Sequence, residues 1–482
     1  MSVRLKPIAL LPALALTGCI HLVSAPKLTA PAPAKGGSVL IEDVRVFDAN
    51  DGRPEVREHL DVRIVGGVIA DIRPSVSPHL PADLVIPGDG RTLLPGLIDL
   101  HVHLALGAGP PWFLTLPDPK HAAQSLVYSG VTSVLDLGGD LKTLQRLKGE
   151  IAAGGWVGPH IRYAGPGLTV EGGYPLDMAK EVYGSIAYAS LKNRDFVAVK
   201  DVADVVAQVD RIADGGGTFV KLMGASIPPR PSGQLPAPRL SEELMAAATK
   251  RAHERHLKVA AHIDSAEDAL ICARVGVDLL AHGVETSLLT PEQVATLKAS
   301  GIAFEPTLVN WHRFDELAVG EFHPTASEIA TQPAAVLASL APAVLLEHER
   351  TLTGSSFKGW ADALQAHRAD RVANTLAMFQ AGIPLLVGSD SNGSIGTFPG
   401  SIHEELRLLV DAGVPILDVL KAATYGNGTF LDAQASGTLK PGAVADLLLV
   451  NGDPTTDIKH TEDIVQVWVS GVPVRSSPPT SP

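Results

Sequence analysis

Apolar and β-branched positions alternate in short runs at both ends of the chain. "SVLIEDVRVFDAN" from Ser38, "LDVRIVGGVIADIRP" from Leu60 and "DLVIPGDGRTLLPG" from Asp83 read as strands closed by Gly, Asp and Pro turns. The same texture returns in "GTLKPGAVADLLLVNGDP" from Gly437 and "IVQVWVSGVPV" from Ile464. Between them, eight apolar runs alternate with helix-like segments: "LIDLHVH", "VTSVLDL", "IRYAG", "FVKLM", "VAAHI", "LLAHG", "IAFEP" and "PLLVGSD". "SEELMAAATKRAHERH" is one such helix, with Ser241 placed to cap it and two Glu in its first turn. Eight strand–helix units predict an α/β fold, a (β/α)8 TIM barrel.

The expected layout is a composite β-sandwich domain from residues 39–94 and 434–475, with the barrel, 95–433, inserted between its halves. Residues 476–482 read as a disordered tail. Two connections are long, from Gly165 to about Thr218 and from about Thr307 to Gly382. Long loops on the C-terminal face of a barrel shape the substrate site.

The N-terminus departs from this pattern. In "MSVRLKPIALLPALALTGCIHLV", Arg4 and Lys6 precede a short apolar run, so residues 1–18 read as a signal peptide, too short for a stable membrane span. Leu16-Thr17-Gly18-Cys19 resembles a bacterial lipobox, which implies cleavage before Cys19 and its lipidation. Residues 19–38 then form the lipidated Cys and a Pro/Ala/Gly-rich tether. The expected location is the bacterial cell envelope. The Ile20 that follows points to the outer membrane, on the periplasmic face, with the membrane contacted through the lipid anchor only.

Composition narrows the partners. The formal net charge is −13 and there is no basic run, which argues against nucleic acid. The cysteines are Cys19 and Cys272, with no CxxC pair, so neither a zinc–thiolate site nor a disulfide framework is expected. Cys272 reads as a small buried residue.

The chemistry lies at the ends of the eight runs. His101 and His103 are two apart, so on a strand both imidazoles project to one side and can grip one metal ion. Two surface histidines at a strand end are the plain alternative. Lys221 sits inside the fourth run, His262 ends the fifth, His282 the sixth and Asp390 the eighth. Each lies toward the end of its run where barrel active sites form. His253 and His256 belong to an exposed helix face. His121, His160, His312, His323, His348 and His460 fall in polar or loop contexts. His403 starts a helix, where packing or capping outweighs a reach into the site.

"LLPGLIDLHVHL", "GVTSVLDLGG", "FVKLMG", "VAAHID", "LLAHGVE", "VGSDS", "HEELRLLVDAGV", "LKAATYGNGTFL" and "GTLKPGAVADLLLV" occur in this order, and the resemblance they carry covers about Val39 to Val474. As a set they resemble the amidohydrolase superfamily, in its binuclear branch near bacterial Xaa-Pro dipeptidases and imidazolonepropionase-like hydrolases. The resemblance implies two divalent metal ions, zinc by default. His101, His103 and Asp390 would hold one, and His262 and His282 the other. It also implies that Lys221 is carboxylated by CO2. A plain ammonium repels cations, whereas a carbamate is anionic and offers one oxygen to each. The implied reaction is attack on an amide or peptide C–N bond by a hydroxide shared between the cations, with Asp390 as general base and then acid.

The small-molecule substrate classes are dipeptides, N-acyl amino acids and cyclic amides. In "GPGLTVEGGYP", Gly172 and Gly173 resemble a pair that precedes His in relatives. Here Tyr174 follows, so Gly173 and Tyr174 are the candidate substrate contacts, and the phenol either donates to the substrate carbonyl or lines the pocket. "NWHRF" from Asn310 is a candidate pocket wall. The alternatives are a one-metal deaminase or imidazolone-type hydrolase, a lactonase or phosphotriesterase, and an inactive lipid-anchored binding protein. Relatives also imply a homo-oligomer.

Overall fold

In a computed structural model, the protein is described for residues 22–28, 37–107, 109–110, 112–182, 184–225, 238–341, 344, 365–432 and 436–476. Residues 1–18, Cys19 and 477–482 lie outside the described residues. Among the described residues no helix is long and apolar enough to cross a membrane.

Both chain ends build one mixed sheet. Its strands are β1 (Val39–Asp48), β2 (Glu55–Val65), β3 (Val68–Pro74), β4 (Leu84–Pro87) and β5 (Thr92–Pro95) from the first end. From the last come β15 (Leu447–Val450), β16 (Ile464–Val469) and β17 (Val472–Ser476). The order is β17-β16-β15-β5-β1-β2-β3, and β4 pairs with β1. The expected two-layer sandwich is therefore a single sheet.

The physical reason lies in β1. Its first half pairs with β4 and its second half with β5, while register shifts around Val44 bend it against β2. The sheet curls until Ile69 N donates to Ala443 O and Ala445 N to Gly67 O, which brings the β3 edge back to the strand entering β15. Alternation then sets two faces. Val44, Val46, Leu93, Leu447, Leu449 and Trp468 fill the sheet's own core. Phe47, Leu94, Leu448, Val450, Val467 and Val469 pack on the main body of the protein.

That body holds the parallel strands. β6 (Leu97–Val102), β7 (Val131–Asp136) and β8 (His160–Tyr163) form one sheet. β9 (Gly167–Thr169), β10 (Phe196–Ala198), β11 (Phe219–Met223), β12 (Lys258–His262), β13 (Leu279–Ala281) and β14 (Ala303–Glu305) contribute to a second, in the order β10-β9-β11-β12-β13-β14. The third predicted run is split: β8 pairs with β7, and β9, four residues on, pairs with β11.

The eighth run lacks a continuous ladder, yet it joins the two sheets. Leu386 N donates to Phe304 O, Leu100 N to Val387 O and His103 N to Ser391 O. The strands are buried on both faces, as the continuous apolar runs require. Helices Pro119–Tyr128, Leu141–Ala152, Val202–Asp214, Glu242–Glu254, Ala266–Val275, Pro291–Ser300 and Arg368–Gln380 alternate with them. Ser241 caps its helix as expected, its Oγ accepting from Leu244 N at 3.2 Å.

Candidate active site

The end of β6 is held from below. Asp99, fully buried, accepts from His101 N and Ser389 N, each at 3.0 Å, and from Ser389 Oγ at 2.5 Å. Burial pushes its carboxyl up to about 7, against those hydrogen bonds. Asn427 clamps the same seam. Its Nδ2 donates to Ile98 O at 2.7 Å and Val387 O at 2.8 Å, and its Oδ1 accepts from Val387 N at 3.1 Å. The first strand and the eighth run are thus fixed before any ligand side chain is considered.

His103 is oriented by the neighbouring strand. Asp136, at the end of β7, accepts from Leu104 N at 2.7 Å and Gly138 N at 3.1 Å. Gly138 O lies 3.0 Å from His103 Nδ1 and can accept only a proton, so Nδ1 carries it. Nε2 then faces Asp390 Oδ1, 3.1 Å away, while His101 Nε2 is 3.5 Å from the same oxygen. Ligand atoms of His101, His103 and Asp390 all lie within 4.8 Å of one another, and all three residues are buried. On the far side of His101, Nδ1 lies 2.8 Å from Glu305 Oε1, a carboxylate buried at the end of β14.

His262 and His282 complete the ring of imidazoles. Their ring centroids are 4.3 Å apart, and those of His282 and His101 are 4.9 Å apart. His282 Nδ1 lies 2.6 Å from Thr307 Oγ1, which leaves Nε2 for the interior. His262 Nε2 is buried with no hydrogen-bond partner among the described residues. Lys221 is 2 % exposed, and its Nζ is 3.4 Å from His101 Nε2. All six sequence-predicted ligands therefore converge.

The backbone is strained where they do. His282, Thr307 and Asp390 have φ of 75°, 44° and 53°. For β-branched Thr307 this is an outlier, at a cost of about 1–3 kcal/mol. Two glycines explain "VGSDSNG". A Cβ on Gly388 would collide with Glu305 and His101, and one on Gly393 with Asp390 and His103.

The electrostatics match a cation site. Burial, with the charge of Lys221 and the other imidazoles, holds His101, His262 and His282 well below the usual histidine range. They are neutral and keep a lone pair, as ligands must. Burial also opposes charge on His103, but the Asp390 carboxylate raises it overall. Burial lowers the Lys221 ammonium to about 8, against the pull of Glu305 and Asp390. Glu305 is pushed well above its ordinary value by burial, which Lys221 partly offsets. Four convergent imidazoles, an orphaned buried Nε2 and a carboxylate form a donor set suited to divalent ions such as zinc.

Of the candidate substrate contacts, Tyr174 lies against His262, ring centroids 4.8 Å apart. Gly173 donates its N–H to Val170 O, and a side chain there would strike Pro238 O and Thr169 Oγ1. In "NWHRF", Trp311 and Phe314 are buried against each other. His403 packs, with Nδ1 3.1 Å from Thr461 Oγ1 and Nε2 2.9 Å from Ser129 O. Cys272 is free and buried.

Sequence reading missed Glu305 and Thr307. Glu305 had a signal: a lone carboxylate inside the apolar run "IAFEP" is as anomalous as Lys221 inside "FVKLM".

The amidohydrolase family model matches residues 92–474. An uncharacterized protein of Mycobacterium tuberculosis (strain ATCC 25618 / H37Rv) is 28% identical over 387 residues, 80% of this chain and 85% of its own. Among solved structures, a Xaa-Pro dipeptidase with bound methionine superposes with a TM-score of 0.71 at 20% identity, covering 91% of this chain and 100% of that one. A. niger ochratoxinase gives 0.69 at 19% identity (92% and 96% covered), and molinate hydrolase 0.66 at 18% (91% and 95%). The chain belongs to the amidohydrolase family and is a hydrolytic enzyme acting on carbon–nitrogen bonds.

Proposed function

We propose that the protein hydrolyses an amide or peptide bond in a small substrate, a dipeptide, an N-acyl amino acid or a cyclic amide, in a binuclear site at the mouth of a complete (β/α)8 barrel. The observation that carries this reading is the placement of Lys221. Its Nζ is buried 3.4 Å from His101 Nε2, and as a carbamate it would supply an anionic oxygen donor beside the imidazoles. A one-metal deaminase has no use for an amine there. The names of the structural neighbours, a dipeptidase, an ochratoxinase and a molinate hydrolase, span peptide and non-peptide substrates and support the amide class without choosing within it.

His101, His103 and Asp390 would hold one divalent cation and His262 and His282 the second, with Lys221, as its carbamate, shared between them. Bound there, the cations supply Lewis acidity and ease deprotonation of water. The chain's own groups do the rest. Glu305 and Gly138 O fix the two imidazoles of β6, and Thr307 fixes His282, so that each presents Nε2 inward. Asp390 takes a proton from the attacking water at a carboxylate oxygen and returns it to the departing nitrogen. Tyr174, beside His262, offers its phenol to the substrate carbonyl. The residues preceding the described chain assign the protein to the bacterial envelope as a lipoprotein acylated on Cys19.

Asp390→Asn tests the reading. It keeps the shape of the side chain and removes the base. Turnover on a panel of dipeptides and N-acyl amino acids should fall by about 10²–10⁴-fold. Unchanged turnover in a folded Asp390→Asn protein contradicts the mechanism.

A further inference from the structure

Residues 22–28 lie inside the stretch expected to be a tether, yet they rest on the protein. Val23 packs on a buried cluster of Leu317, Val336, Leu340 and Phe398, beside Trp112 and Phe113. Val23 and Ala25 also line a cavity with Leu106, Thr115, Leu116, Asn392 and Pro399. Two of these residues stand on the loops that follow the site's own strand ends. Leu106 is three residues beyond His103 and Asn392 two beyond Asp390. The N-terminal segment therefore packs beside the loops that follow His103 and Asp390, on the side of the strand ends where those residues sit.

The distance from there to Cys19 is short. Two residues, Ile20 and His21, separate Cys19 from Leu22, and the three residue steps fully extended reach at most about 11 Å. An acyl chain on Cys19 must enter the lipid within that reach of Leu22. The surface nearby is suited to it. Leu22 is 84% exposed, Leu116 57%, Val319 62% and Ile329 60%. Leu116 lines the same cavity as Val23, Val319 follows Leu317 of the cluster, and Ile329 lies on the helix Ala326–Thr331, whose Thr331 O meets His121 Nε2 at the cavity wall. Large exposed aliphatic side chains gain by meeting lipid rather than water.

We propose that this face is a membrane-contact surface, and that the anchored enzyme holds its active-site mouth toward the bilayer, with Leu22, Leu116, Val319 and Ile329 against the lipid. The inference rests on acylation of Cys19. It adds an orientation that the anchor alone does not specify, since a free tether of residues 19–38 would let the body tumble.

The test uses the full-length acylated protein in phospholipid vesicles, with nitroxide labels at Leu116→Cys and, separately, at Val76→Cys. Val76 is 60% exposed on the composite β-domain. Cys272 is buried and Cys19 is consumed by the lipid, so each label reports one site. The expected result is that lipid-dissolved oxygen relaxes the label at 116 more than an aqueous nickel chelate does, with the reverse at 76. Mass spectrometry of the N-terminal peptide separates two failures. An acylated Cys19 with both labels in water overturns the orientation alone. An unmodified Cys19 removes the anchor and the orientation together, and leaves the hydrolase reading standing.

Discussion

The two halves of the cation site are built differently. Around His101, His103 and Asp390 the protein supplies Gly138 O on His103, Asp136 and Asp99 on the backbone beside them, and the Glu305 carboxyl 2.8 Å from His101 Nδ1, although neither His101 Nδ1 nor Glu305 Oε1 makes an aligned hydrogen bond. Around His262 and His282 it supplies Thr307 and the face of Tyr174, and leaves His262 Nε2 buried without a partner. The first half lies on the seam where the eighth run meets β6, and Asp99 and Asn427 beside it also hold that seam together. The second half stands on two neighbouring strands whose own ladder is complete, so its imidazoles depend more on what they bind. On the proposed reading one half is organised by the fold, and the other would be organised by its cation and by Lys221.

Lys221→Ala should break the difference most. It removes the shared ligand, so the second half should lose its metal while the first keeps its own. Metal analysis should fall from about two ions per chain to about one. Turnover should drop by more than the roughly 100-fold at the upper end for outer partners.

Glu305→Ala acts on the other half. The first-site affinity should weaken by about 10–100-fold, read by competition with a chelator. Glu305→Gln should recover part of it, because an amide oxygen can still face His101 Nδ1. Equal losses in the two variants would mean that the charge matters and the orientation does not.

Thr307→Val keeps the β-branch and removes the hydroxyl at His282 Nδ1. Its effect should be near the lower end, about tenfold in second-site affinity, with the first site unchanged.

Asn427→Ala should affect the chemistry least. It removes a donor to Ile98 O, the acceptor of Val387 N and one of two donors to Val387 O, which keeps Leu100 N, and should cost on the order of 3 kcal/mol in denaturant unfolding. Activity per folded molecule should change by less than the roughly tenfold expected for an outer partner, since Asn427 bonds backbone groups and touches no ligand side chain. A selective loss of first-site metal would instead show that the seam tunes the ligands.

Much of this was legible in the sequence, for a physical reason. Parallel strands buried on both faces must be continuously apolar, so His101, Lys221, His262, His282 and Asp390 stand out as polar interruptions. Glu305 obeyed the same logic and was passed over, because a single acid before Pro306 reads like a strand end. Thr307 was invisible: its role depends on a backbone twist to φ 44°, which composition does not encode. The split of the third run into β8 and β9 was hidden, since both pieces are apolar and only their partners differ. The β-domain was seen as strands from both chain ends. That they make one curled sheet depends on the bend in β1, which period-2 alternation does not reveal.

The central claim is that Lys221 bridges two cations, and metal content tests it most directly. The soluble body beginning after Cys19 would be purified with bicarbonate and without chelator. The account predicts about two divalent ions per chain. About one ion per chain, unchanged by added zinc and bicarbonate, would contradict it.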